Sequence, residues 1–130
     1  MPRFIQSDNK GPYQDRGTGV EFEGRVTCDT SCRWSSSEDL ATGAAADLTC
    51  TTSYFDTDAS ETATLAAGKE GQIKIFTMNA DSGDMVVTVT NTSWSGAEGT
   101  ITFDTIGDGC ILVYSNSVWN IVGNYGGAFA

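Results

Sequence analysis

The chain has 130 residues, a formal net charge of −10 at pH 7, and no histidine. That length fits one domain with an arm, and the missing imidazole removes the commonest general base and the usual switch near neutral pH. No apolar run approaches the roughly 18 residues of a membrane-spanning helix, and the acidic balance repels phosphate backbones, so neither a membrane nor a nucleic acid is an expected partner.

The charge is unevenly spread. Residues 1–33 hold five basic side chains, Arg3, Lys10, Arg16, Arg25 and Arg33, against five acidic ones. Residues 34–130 hold Lys69 and Lys74 against twelve carboxylates. The start, Met1-Pro2-Arg3-Phe4, shows no apolar stretch leading to a small-residue cleavage site, so export through a signal peptide is not expected.

In chain order, residues 1–19 are polar, with turn signals at Gly11-Pro12 and Gly17-Thr18-Gly19. The expectation is an extended arm anchored by Phe4, Ile5 and Tyr13; a disordered tail is the competing reading of the same composition. Val20–Val26 alternates apolar and charged residues and reads as a half-buried strand. Ser35-Ser36-Ser37-Glu38 resembles a capping box ahead of Ala41, Ala44, Ala45 and Ala46, so one short helix or helical turn is expected within 27–47, interrupted at Gly43. Leu48–Phe55 is rich in β-formers and predicts a second strand.

The most regular pattern runs from 62 to 130. Strands are expected at Thr62–Leu65, Gln72–Met78, Met85–Thr90, Thr100–Phe103, Cys110–Tyr114 and Val118–Val122, with turn chemistry between them. Ile73 and Ile75 share a face, as do Met85, Val87 and Val89. Asn91–Gly99 is expected as a loop carrying Trp94, and Ser115-Asn116-Ser117 as a hairpin turn. Cys110–Tyr114 is apolar on both faces and should be the most central strand; Trp119 and Ile121 fall in phase on the last one. This spacing predicts an all-β fold, an antiparallel β-sandwich or a small barrel, with an extended N-terminal arm. Residues 1–33 form the arm and first strand, and residues 34–130 the compact domain.

The candidate chemistry is sparse. Cys28 and Cys32 are separated by three residues rather than two, and without histidine a zinc site would need all four thiolates, Cys50 and Cys110 included. Reduced, partly buried thiols are expected, with Cys110 in the core. Asp56/Asp58, Glu21/Glu23, Asp81/Asp84 and Asp104/Asp108 lie near one another. A glycosidase needs two carboxyls held across a cleft, and calcium at Asp56/Asp58 or Asp81/Asp84 lacks the spacing of an EF-hand; most of these acids stand where turns use them to close their own backbone. Trp119 belongs to a core strand, whereas Trp94 stands in a Gly/Ser loop and is the candidate for an exposed contact. No catalytic, cofactor-binding or metal-binding residue is assigned, and an enzyme is not expected.

Four segments, in order, carry a resemblance. Gly71-Gln72-Ile73-Lys74-Ile75, then Asp84-Met85-Val86-Val87-Thr88-Val89-Thr90, then Thr100-Ile101-Thr102-Phe103-Asp104-Thr105-Ile106-Gly107-Asp108, then Trp119-Asn120-Ile121-Val122-Gly123-Asn124 resemble a β-domain of tailed-phage virion proteins, most familiar from marine cyanophages and related podoviruses. The resemblance covers about half of the chain. It implies a β-sandwich or a tulip-like, jelly-roll-like barrel, usually a homotrimer, found in capsid decoration (cement) proteins and fibre-like appendages, without catalytic residues or cofactors. For a short chain with no repetitive shaft it implies a decoration protein on the outer surface of the virion capsid. Such a protein stabilises the icosahedral head by bridging subunits of the major capsid protein. On this expectation Arg3, Phe4, Ile5, Lys10, Tyr13 and Arg16 contact the shell while residues 62–130 trimerise. The alternative is a head or tail appendage that binds a host receptor or glycan, with Trp94 at its tip.

Overall fold

The computed structural model describes residues 36–130; the expected arm, the Val20–Val26 strand, Cys28, Cys32, Trp34 and the expected shell contacts from Arg3 to Arg16 lie outside them. The described residues form nine strands and no helix: β1 Ser37–Asp39, β2 Thr52–Asp56, β3 Glu61–Leu65, β4 Ile73–Ala80, β5 Met85–Thr92, β6 Gly96–Phe103, β7 Gly109–Ser115, β8 Val118–Tyr125 and β9 Ala128–Phe129. The all-β expectation holds. The expected helix is corrected in its described part, because Ser37–Asp39 pairs with β2 and Ala45 bridges Thr64. Glu38 turns its carboxylate to Lys74 instead of capping a helix, and Gly43 takes φ +74°, which ends a helical run.

The strands form where β-branched and aromatic residues alternate with polar ones. In β5, Met85, Val87 and Val89 are buried in phase, as the sequence predicts. In β4 the phase brings Lys74, Phe76 and Met78 inward and turns Ile73 and Ile75 outward. In β7, Cys110, Leu112 and Tyr114 face the core. Trp119 of β8 is buried, but Ile121 is 37% exposed, so the two do not share the core as their phase suggests. The ladder to β7 shifts register between Ile111 and Leu112, which is the local irregularity that releases β8 from regular alternation.

The described strands make one mixed sheet in the order β1-β2-β4-β7-β8-β5-β6-β9, with β3 beside β5. The β5/β6 and β7/β8 hairpins are antiparallel, while β1/β2, β2/β4 and β3/β5 run parallel. The sheet folds over where β8 meets β5 at the Trp119–Thr92 pair. Phe103 of β6 then lies 5.1 Å from Phe55 of β2 and 6.1 Å from Phe76 of β4, ring centre to ring centre, although these strands are far apart in the sheet order. Two layers result. The first holds β1, β2, β4, β7 and β8; the second holds β3, β5, β6 and β9. Each fully buried Phe, Leu, Ile, Val or Met between them contributes about 1.5–3 kcal/mol of apolar transfer free energy.

Two hairpin turns fix the registers. Asn116 and Ser117 join β7 to β8 with φ of 52° and 65°, a left-handed pair that normally favours glycine. The Glu70 carboxylate offsets the strain by accepting both turn amides, from Asn116 at 3.0 Å and Ser117 at 2.8 Å. The expected 91–99 loop is shorter than the sequence suggests: β5 runs to Thr92 and β6 resumes at Gly96. Gly68 is required for a close approach, since a Cβ there would stand 2.7 Å from the Trp119 ring. Its absence lets the chain pass over the indole, whose N–H donates to the Ala66 carbonyl at 3.0 Å.

Candidate functional site

The aspartates whose carboxylates accept hydrogen bonds serve their own loops. Asp47 accepts the Thr49 amide at 2.7 Å and its hydroxyl at 2.8 Å. The Thr49 amide above all, and then its hydroxyl, hold the Asp47 carboxyl below the usual carboxylate range. Asp81 accepts the Gly83 amide at 3.0 Å, and Asp108 accepts the amides of Asp104 and Thr105, each at 3.1 Å. These are the side chain-to-backbone closures that Asp provides in turns. Among the described residues, no group of three or more Cys, Asp or Glu is placed to hold a metal ion.

A buried ion pair escaped the sequence reading. Lys74 is fully buried and its ammonium donates to Glu38 Oε1 at 3.0 Å, to the Asp47 carbonyl at 2.9 Å and to the Cys50 carbonyl at 3.0 Å. Three donors meet three acceptors, which is the full capacity of an ammonium. Glu38 also accepts the Asp47 amide and the Ser53 hydroxyl. The cluster ties residues 38–53 to β4 and leaves nothing free for chemistry. Its sequence signal was a lysine alternating with isoleucine in Ile73-Lys74-Ile75, where the pattern alone sets the isoleucines on one face.

The thiols of Cys50 and Cys110 are both free and buried. Burial pushes the Cys110 thiol up to about 12, so it stays protonated at neutral pH. Trp94 is half-buried rather than displayed at a loop tip. It packs edge-on against Phe129 with 5.1 Å between ring centres, and its indole nitrogen is buried without a hydrogen-bond partner.

The remaining candidate is the outer face of the first layer. Ile75 of β4 stands opposite Ile111 of β7, and Ile73 opposite Val113. Ile73 is 43% exposed and Ile111 is 41% exposed. Gly123 of β8 pairs with Ile111 and offers no side chain beside it, while Tyr125 is 76% exposed. The Ile75–Ile111 ridge separates two shallow grooves. One, of about 390 Å³, runs along Leu48, Gln72 and Ile73. The other, of about 360 Å³, runs along Gly109, Gly123 and Tyr125. The strands β4, β7 and β8 contain one ionic side chain between them, Lys74, and it points inward. In the sequence Cys110–Tyr114 is apolar on both faces, which is the signal of this surface.

No protein-family model matches the chain, and no curated protein or solved structure matches it either.

Proposed function

We propose that this protein is an assembly module rather than a catalyst: a capsid decoration (cement) protein that acts as a homotrimer on the outer surface of a phage head and bridges subunits of the major capsid protein. The observation that carries the reading is the uncharged Ile73–Ile75–Ile111 face on an otherwise acidic body. Contiguous exposed apolar surface of this kind marks contact with another macromolecule. The ordered motifs that resemble tailed-phage virion proteins supply the class of assembly. The turn-closing roles of Asp47, Asp81 and Asp108 favour a structural part over a hydrolase. In this reading Arg3, Lys10 and Arg16 engage the shell, with Phe4, Ile5 and Tyr13 as apolar anchors.

The test is attachment to purified heads of the phage that encodes the protein. The triple variant Arg3→Glu, Lys10→Glu, Arg16→Glu is expected to lose attachment, and the wild-type copy number should be comparable to that of the shell subunits. Full attachment by the triple variant overturns the assignment of the shell contact. A copy number of a few per particle, with glycan binding that depends on Trp94, replaces the cement reading with the appendage reading.

A further inference from the structure

Within the first layer, the outer face of β4, β7 and β8 leaves Ile73, Ile111 and Tyr125 exposed among the described residues, and its chemistry says what kind of partner it fits. Residues 36–130 carry two lysines against twelve carboxylates, and Lys74 is buried in its ion pair, so Lys69 is the exposed cation of this region. A basic partner would be recognised through the carboxylates. A face without charge is what remains for a partner that is itself acidic, because like charges brought together across an interface cost several kcal/mol. A second copy of this chain is such a partner. The shape agrees. One apolar ridge, Ile75–Ile111, stands between two grooves, so one side of it can meet each of two neighbours around a closed rotation axis.

We infer that copies of this chain associate through the outer face of β4, β7 and β8, with Ile73, Ile75, Ile111 and Val113 turned toward a common threefold axis and Tyr125 at the rim. Burial of this face supplies the apolar core that such an interface needs, while the carboxylates stay in solvent. The inference rests on the trimeric assembly module proposed above and adds the surface that forms it.

Light scattering coupled to gel filtration, on the full chain at about 100 μM, reads the outcome. Wild type is expected at three times the chain mass. Ile111→Lys, which would bury an unpaired ammonium at each interface, is expected to elute as a folded monomer, with self-association weakened by at least about 100-fold. Thr100→Lys, on the outer face of the second layer, is expected to remain trimeric. The double variant Ile75→Thr, Ile111→Thr keeps the β-branched shape of both residues. It should also be monomeric with an unchanged circular dichroism spectrum, which covers the case in which Ile111→Lys fails to fold. A monomeric wild type overturns the inference, and so does a folded Ile111→Lys variant that stays trimeric. A monomeric wild type that still attaches to heads leaves the cement role standing without its trimer and gives the face to the shell. Full attachment by the arginine and lysine variant, with the wild-type trimer intact, does the reverse: it overturns the shell contact and leaves the trimer face standing.

Discussion

On the outer face of β4 and β7 the cross-strand pairs are Ile73–Val113 and Ile75–Ile111; on the outer face of β3, β5 and β6 they are Thr64–Thr88, Thr88–Thr100 and Val86–Thr102. Isoleucine, valine and threonine share a β-branched shape and suit a pleated strand about equally. The fold therefore accepts either set, and the choice between methyl and hydroxyl is left to whatever each face meets. Threonine across the second layer is the choice for water. Isoleucine across the first layer costs solubility and returns nothing to the isolated domain, which is why it reads as surface kept for a partner.

The strongest way to break this comparison is to remove what joins the layers. Phe103 is fully buried and its ring meets those of Phe55 and Phe76 from the opposite layer. Phe103→Ala should cost about 4 kcal/mol, seen as an earlier urea midpoint. Circular dichroism and tryptophan fluorescence should still report one coincident transition. Two separated transitions would mean that the layers are independent units.

Lys74→Met is the next largest effect and should act on one layer. It removes the ammonium from Glu38, whose side chain is only 19% exposed, and from two carbonyls. A loss of about 3 kcal/mol is expected, because the carboxylate is left buried without its counter-charge. Hydrogen exchange should speed up at residues 37–54 and leave the β5–β6 hairpin protected. Uniform loss of protection would show that the cluster supports the whole sandwich.

Smaller in free energy, but a direct exchange of the two faces, is the double variant Thr88→Ile, Thr100→Ile. Stability should stay within about 0.5 kcal/mol of wild type, while solubility falls as the second layer gains an isoleucine face like the first. Unchanged solubility would remove polarity as the meaning of the difference.

The smallest effect is a pH dependence inside the shared core. The folded-state value of Cys110 is raised, to about 12, so its contribution is fully present below the ordinary thiol value of about 8.5 and is lost as pH rises through that window. Melting temperature should therefore fall more steeply between these values for wild type than for Cys110→Ala, each measured against its own value at neutral pH. Parallel profiles would place the alkaline loss elsewhere.

The second layer was the more legible of the two. Met85-Val86-Val87-Thr88-Val89 alternates cleanly enough to give both its inward set and its polar outer face, and Thr100–Phe103 does the same for β6. In the first layer the alternation of β4 puts Ile73 and Ile75 on one face without saying which way it turns, and the buried position goes to Lys74 because Glu38 and two carbonyls wait there from residues distant in the chain. Trp94 misled: its Gly/Ser setting signals display, but Phe129, 35 positions on, covers one side of it.

By itself the sequence determined the all-β class, the positions of the later strands, the hairpin at Asn116-Ser117 and the central place of Cys110–Tyr114, because each depends on alternation and turn chemistry within a few residues. Only the tertiary structure decided that β1/β2, β2/β4 and β3/β5 run parallel, that the sheet folds at Thr92–Trp119, and that β4 buries its lysine and shows its isoleucines. Those outcomes depend on contacts between distant segments. A local pattern gives a strand two faces, but only its distant neighbours decide which face turns inward.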